Sequence, residues 1–495
     1  MTVDHHELTV TRFHASLLAK ELTAEELTRW YLDRVKKHSE AGAELQAVVT
    51  VNDDALAEAR ALDARFAETG TLSGPLHGVP VLVKDQAETA GIRTTFGSKL
   101  FEDYVPDTDA TVVAKLKQAG AVILAKASMC DFAAGWFSAS SMTDHTKNPY
   151  DLTRDSGGSS AGSAVGVSAN LALLGVAEDT GGSIRIPASF TNLFGLRVTT
   201  GLISRTGFSP LVHFQDTPGP VGRHVEDLAV LLEAIVGYDP ADPFTAVNDP
   251  KREAGEYVAA VENAPDLSQW TVGVIDSAFG SDDVDDARLV NTVVREAIGA
   301  LRGAGTTVQE GLAIDDLPRW IAVTSLYAKQ SKSDIDGFLS TRPSTPVNSF
   351  REVYDSGVFH PLNDLFHDIA GAPVDAEEDP DYHRFRVNQE KFRRMILDLM
   401  ARSRTDFLIY PTVQVVPPTR ADLEAGRWTA LTFPTNTVIA SQTGLPAVTV
   451  PAGFTPAGLP VGLEVLGRPF SERDLLSFAR AWERAARPRR AASID

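Results

Sequence analysis

Gly157 to Pro187, reading GGSSAGSAVGVSANLALLGVAEDTGGSIRIP, is the stretch that most constrains what this chain can fold into. Two serines in it, Ser159 and Ser183, each follow a glycine. Between them the small residues from Ser160 to Ala177 predict a closely packed, buried helix against which neighbouring backbone can come near. Gly181-Gly182-Ser183 sets a hydroxyl directly after two residues that tolerate unusual backbone angles, and N–H groups in such a turn converge on an anion. A serine beside converging N–H groups has the parts of a nucleophile with its oxyanion hole. A flexible Gly/Ser loop and a phosphate cradle compete with that reading. A P-loop requires Lys and then Ser/Thr after its second glycine, whereas Gly162 is followed by Ser163-Ala164. No G-x-G-x-x-G opens a helix here, and neither serine sits in a G-x-S-x-G elbow, so an α/β-hydrolase is not supported.

The 495 residues allow one large domain or two to three ordinary ones. With 43% apolar and 23% charged residues, the composition is that of a globular protein able to bury an extensive core. The formal charge of −20 disfavours nucleic acid and anionic membranes as partners. Cys130 is the single cysteine, so no intrachain disulfide forms, and a reducing, cytoplasmic location is expected. MTVDHHELTV lacks the basic and apolar regions of a secretory signal. Val165 to Ala177, interrupted by Asn170, is too short and polar to span a bilayer. The histidines show no H-E-x-x-H or Cys/His ligand spacing, so neither a metal site nor a cofactor is expected.

Along the chain, Glu7 to Lys37 predicts two helices, the second opened by a Thr23/Glu26 capping box. Ala55 to Phe66 is another amphipathic helix. Gly78 to Lys84 is a short apolar strand ending in a lysine. Asp109 is expected to cap a helix through Val112, Val113 and Leu116, and Ala121 to Ala125 is the next strand, an order typical of α/β proteins. Gly219 to Val236 is expected to return to helix after a turn. The section from about 240 to 400 is expected to be peripheral helices without visible chemistry. Phe407 to Tyr410, Ala447 to Val450 and Gly462 to Leu466 are expected core strands.

At this point several blocks, in one order, resemble the amidase signature family: Gly78-Val-Pro80 to Lys84-Asp85, Gly91-Ile-Arg-Thr-Thr95 with Gly97-Ser98, Gly157-Gly-Ser159-Ser160, Asp179-Thr-Gly-Gly-Ser183-Ile-Arg-Ile-Pro187, Asp216-Thr-Pro-Gly-Pro220, and Thr443-Gly-Leu-Pro446 through Gly467-Arg-Pro469. The departures are Ala161 where Gly or Ser is preferred, Glu178 for a small hydroxyl residue, Glu464 for a frequent Gln, and Ala127-Ser128 for Thr-Asn. None is expected to touch the three catalytic positions.

The resemblance implies an α/β fold, a large mixed β-sheet flanked by helices on both faces. It would form one domain over 1–495, with a core at about 70–235 and 405–485 and the variable section at about 240–400. It also implies a Ser–cisSer–Lys triad: Ser183 as nucleophile, Ser159 as the bridging serine after a cis peptide, and Lys84 as base. The backbone N–H groups of Thr180, Gly181, Gly182 and Ser183 would hold the oxyanion. A serine hydroxyl needs a base, and lysine serves only when burial leaves it neutral. Ser160 is expected to support by hydrogen bonding, Arg185 to be structural and paired with Asp179, and Asp85 to fix the turn after Lys84 while pointing away from it. Cys130 is expected to be a buried small residue. Phe132, Ala133 and Ala134 are candidate walls of the acyl pocket, followed by Trp136 and Phe137.

The expected activity is cleavage of a carboxylic amide C–N bond through an acyl-enzyme, on a small-molecule amide with water. The alternatives are an ester or carbamate hydrolase with the same triad, a silent scaffold and an amidotransferase subunit. The intact Lys84, Ser159 and Ser183 argue against the scaffold. Oligomeric state is left open, with a homodimer among the options.

Overall fold

The computed structural model describes residues 4–486 and 489–494. Its centre is one eleven-stranded sheet. In chain order the strands are β1 (Val48–Val51), β2 (Pro80–Lys84), β3 (Val122–Ala127), β4 (Leu174–Glu178), β5 (Phe194–Arg197) and β6 (Pro218–Gly222). They continue with β7 (Thr271–Ile275), β8 (Thr307–Leu312), β9 (Phe407–Pro411), β10 (Ala447–Phe454) and β11 (Pro460–Leu466). Across the sheet they run β1-β3-β2-β4-β6-β5-β10-β11-β9-β7-β8. The sheet is mixed: β2 lies parallel to β3 and β4, and β7 to β8 and β9, whereas β10 and β11 pair antiparallel.

Strands β2, β3 and β4 are buried at every residue, as expected of parallel strands covered on both sides. The helix Ala161–Ser168 is also buried throughout and packs on β2, β4 and β6. Its glycines make this possible. A Cβ on Gly162 would stand 2.2 Å from both Ala47 O and Ser128 N, and one on Gly166 would stand 2.2 Å from Leu82 Cδ1. The Thr23/Glu26 capping box opens the helix Ala24–Arg34 as expected. No helix among the described residues is long and apolar enough to cross a membrane.

Four local expectations change. The small-residue run is not one helix: it turns at Asn170, whose φ is +54°, and re-enters the sheet as β4. Residues Pro218–Gly222 are a strand before the helix Val225–Ile235, because β4 and β5 both offer them antiparallel partners despite two prolines. Asp109 does not cap the helix Thr111–Gln118; its carboxylate accepts from Ala90 N at 2.8 Å and pairs with Lys117. The section 240–400 is not only peripheral helices. It supplies β7 and β8, joined through the helix Asp285–Gly303 as a parallel crossover that extends the sheet beyond β9. Five residues of β7 are too few to stand out beside a 19-residue amphipathic helix.

Gly162 gives a test of this packing. Ala normally improves on Gly inside a helix, but here the added methyl meets fixed backbone. Gly162→Ala should destabilise the protein by about 1–3 kcal/mol. Gly299→Ala, in the exposed face of the helix Asp285–Gly303 with nothing within 4 Å, should stabilise it by about 0.5–1 kcal/mol. Urea midpoints at constant slope would show the two changes moving in opposite directions.

Candidate active site

Lys84 ends β2 between β3 and β4 and is fully buried. Its Nζ donates to Ser159 Oγ at 2.8 Å and to Glu178 O at 3.2 Å, and lies 3.3 Å from Glu178 Oε2. Burial pulls the ammonium's pKa down, and the Glu178 carboxylate opposes that shift. Asp85, the next residue, turns away as expected. Its Oδ2 accepts from Thr95 N at 2.9 Å and from the Thr95 hydroxyl, and its Oδ1 lies 3.6 Å from Lys126 Nζ.

Ser159 follows a cis Gly158–Ser159 peptide, at a point where a Cβ on residue 158 would stand 2.2 Å from Phe137 O. The same turn is fastened to the second serine segment. Ser160 N donates to Ser183 O at 3.3 Å, and Ser160 Oγ donates to Glu178 O at 3.0 Å. Sequence positions far apart thus converge: Lys84, Ser159 and Ser160 meet at the end of β4, and Ser183 leads into the helix Arg185–Phe190. Among the described residues, the N–H groups of Thr180, Gly181, Gly182 and Ser183 donate to no protein acceptor, and neither does the Ser183 hydroxyl. Buried N–H groups are nearly always paired, so four in succession beside a serine make a ready anion site. Gly182 has φ +140°, and a Cβ there would stand 2.0 Å from Thr437 Oγ1, so only glycine carries the chain through.

A buried ion cluster holds this loop from behind. Asp179 accepts from Arg185 Nε at 3.0 Å, Arg185 Nη2 at 3.1 Å, Arg197 Nη1 at 2.8 Å and Ile184 N at 3.2 Å. The two guanidiniums hold its carboxyl well below the usual carboxylate range, against the opposing effect of burial. Arg185 also meets the Glu464 carboxylate and donates to Thr437 O at 2.9 Å and Ser441 Oγ at 2.8 Å. Burial pushes Glu464 up to about 7 despite Arg185. Arg185 is therefore committed to the scaffold and paired with Asp179, as the family resemblance implies.

The cavity over Ser183 holds about 10 Å³, roughly one water molecule. Of the three expected wall residues only Ala133 lines it. Phe132 and Ala134 are buried elsewhere. The Phe132 backbone has φ +48°, and its ring packs 5.3 Å from Phe101 and 5.8 Å from Phe96. Phe137 packs its ring 5.2 Å from Phe433. Trp136 does line the cavity, edge-on to Tyr327, whose hydroxyl accepts from Gln215 Nε2 at 3.3 Å. Trp136 and Tyr327 also line an adjoining pocket of about 460 Å³ walled by Leu317, Pro318, Ile321, Leu431, Phe433 and Val438. None of its described lining residues is Asp, Glu, Lys, Arg or His.

Sequence reasoning missed Tyr327, which comes from the section without a readable code, and this pocket, whose walls come from Trp136, from that section and from residues 414–442. It also placed Glu178 away from the catalytic positions, whereas its carboxylate touches Lys84. The available signal was an acidic residue at the buried end of a strand. Cys130 is fully buried, its Sγ donating to Gly135 O at 3.6 Å, and burial raises its thiol far from ionisation. No group of three or more His, Cys, Asp or Glu among the described residues could hold a metal ion.

The family model described as Amidase matches residues 26–476. One subunit of the glutamyl-tRNA(Gln) amidotransferase from Moorella thermoacetica is 35% identical over 97% of this chain and 96% of its own. The crystal structure of the native peptide amidase from Stenotrophomonas maltophilia superposes with a TM-score of 0.87 at 32% identity, covering 99% of both chains. The same-named amidotransferase subunit from Thermotoga maritima gives 0.77 at 27% identity, over 100% of this chain and 99% of that one.

The Asp179 cluster yields a stability test. Removing one partner of a buried ion cluster leaves the others uncompensated, so Asp179→Asn should cost about 3–5 kcal/mol. The folded-state pKa of Asp179 is depressed, so its contribution is complete above the ordinary Asp value of about 3.9 and lost as pH falls below it. Urea titrations should therefore show the gap between parent and Asp179→Asn narrowing under acid.

Proposed function

Because the chain belongs to the amidase signature family, we propose that it is an amidohydrolase cleaving carboxylic amides at Ser183 through an acyl-enzyme. The observation that carries this reading is the 2.8 Å bond from buried Lys84 Nζ to Ser159 Oγ, in the turn bonded to Ser183. Ser183 Oγ attacks the carbonyl carbon as its proton passes to Ser159 and a proton from Ser159 passes to Lys84. The carbonyl oxygen becomes an oxyanion held by the N–H groups of Thr180, Gly181, Gly182 and Ser183. The C–N bond breaks as Ser159 protonates the nitrogen and Lys84 returns a proton to Ser159. Water then attacks the acyl ester through the same relay, releasing the acid and restoring Ser183.

The pocket beside Trp136 and Tyr327 supports a neutral substrate with an apolar group, since its described lining offers no charge to pair with a carboxylate or ammonium. A second reading, an amidotransferase subunit working with partner chains, is favoured by the relatives that carry that name along nearly the whole chain. The two readings divide on what the purified chain does alone. We expect it to hydrolyse neutral apolar amides, with kcat/KM for free glutamine lower by about a hundredfold or more, the cost of burying unpaired charges. Preference for glutamine, or activity only with added partner chains, would favour the second reading instead.

Ser183→Ala should lower kcat by about 10⁴-fold or more with an unchanged fold by circular dichroism. A fluorophosphonate should label Ser183 in the parent; an active Ser183→Ala labelled at another serine would overturn the assignment. Ser159→Ala should slow amides by about 10²–10⁴-fold and a nitrophenyl ester much less, because an amine leaves only when protonated. Equal losses on both substrates would remove Ser159 from the relay.

A further inference from the structure

We propose that Glu178 is the counter-charge of Lys84, a positioning residue that keeps the amine on Ser159 and stabilises the ammonium formed when Lys84 takes the proton. The proposal rests on the amidohydrolase reading above. Its basis is geometric. Glu178 is the last residue of β4 and is fully enclosed, with 1% of its side chain exposed. Its Oε2 lies 3.3 Å from Lys84 Nζ, and its backbone oxygen receives both Lys84 Nζ and Ser160 Oγ. Its other carboxylate oxygen lies 3.3 Å from Thr180 Oγ1, at the head of the loop that ends in Ser183. One side chain therefore touches the base and the first residue of the unpaired N–H row. The amidase signature pattern leads one to expect a small hydroxyl there, which would supply no charge.

The remaining ionisable groups around the pair are otherwise engaged. Asp179 is held ionised by Arg185 and Arg197, and the Cys130 thiol is held protonated by burial. Asp216 takes Thr180 Oγ1 at 2.6 Å and Val212 N at 3.1 Å on one oxygen, and Leu211 N at 3.0 Å on the other. Glu178 is thus the carboxylate in contact with Lys84. Burial lowers the pKa of Lys84 and raises that of Glu178, while each charge opposes the other's shift. Two groups this close titrate as a couple.

While the couple holds its shared proton, Lys84 has no lone pair free for Ser159. Once that proton is lost, Lys84 is neutral beside the Glu178 carboxylate. Attack by Ser183 then sends one proton through Ser159 to Lys84, creating an ammonium–carboxylate pair in a dry site. When the amine leaves, that proton returns through Ser159. Glu178 exchanges no proton with substrate during turnover. It raises the basicity of Lys84, as the third group of a nucleophile–base–orienter set does.

The sign of the test is fixed by this role. Without Glu178 the ammonium loses its counter-charge and gives up its proton at lower pH. The acid limb of kcat/KM for a neutral amide should move down by about 1–3 pH units in Glu178→Gln. Its plateau should fall by about tenfold or more, because a weaker base accepts the proton less readily. Glu178→Ser, which places the small hydroxyl there, should move the limb the same way and guards against a misfolded Gln variant. Lys84→Ala is profiled beside them. A limb that stays in place in both folded Glu178 variants, with activity lowered equally at every pH, would make Glu178 merely structural and overturn the proposal while leaving the triad intact. A limb that moves upward would also overturn it. Near-parent activity with an unchanged limb in Lys84→Ala would instead overturn the amidohydrolase relay itself, and the proposal with it.

Discussion

The geometry of the loop from Thr180 to Ser183 depends on one buried carboxylate. Asp179 gathers two guanidiniums and the Ile184 N–H, and so fixes both where the loop leaves β4 and where the helix Arg185–Phe190 begins. The N–H groups from Thr180 to Ser183 carry no protein acceptor among the described residues, and Thr180, Gly181 and Ser183 line the cavity. Arg185 carries the constraint to Thr437, Ser441 and Glu464, and Arg197 carries it into β5. Segments from both halves of the chain therefore bear on a turn of four residues.

Much of this was legible in the chain, for identifiable reasons. The apolar run ending in Lys84, the capping box at Thr23 and the strands near 407, 447 and 462 announce themselves through short-range pattern, and they lie where pattern places them. The glycines around Ser159 and Ser183 mark close approach because no other residue fits. What pattern does not carry is the partner across space. Phe132 looked like a pocket wall because it follows a strand, but one positive-φ residue sends its ring into an aromatic cluster with Phe96 and Phe101. Tyr327 reaches the Ser183 cavity from a helix whose sequence carries no mark of chemistry. Glu178 stood out as a departure from family pattern, yet only the pairing of β2 beside β4 shows that it meets Lys84.

A contrast in polarity runs through the site. The side that holds Lys84 and Asp179 is dense in buried charge, each group matched by an opposite one. The side beyond Trp136 and Tyr327 has no charge in its described lining. Polar groups buried without partners are expensive, so such a division both keeps the machinery paired and selects what can occupy the other half. The edge-to-face contact of Trp136 with Tyr327 marks the boundary between the two environments.

The strand order has a consequence for biosynthesis. Strand β5 pairs on one side with β6, made soon after it, and on the other with β10, whose first residue lies about 250 positions further on. At about 5–20 residues per second, the ribosome takes on the order of 10–50 s to deliver that partner. Throughout that interval the N-terminal strands end in an open edge with unsatisfied N–H and C=O groups, and the side chain of Arg185 lacks Glu464, Thr437 and Ser441. The nascent chain thus carries the turn at Ser183 next to an exposed strand edge until residues 447–466 have emerged.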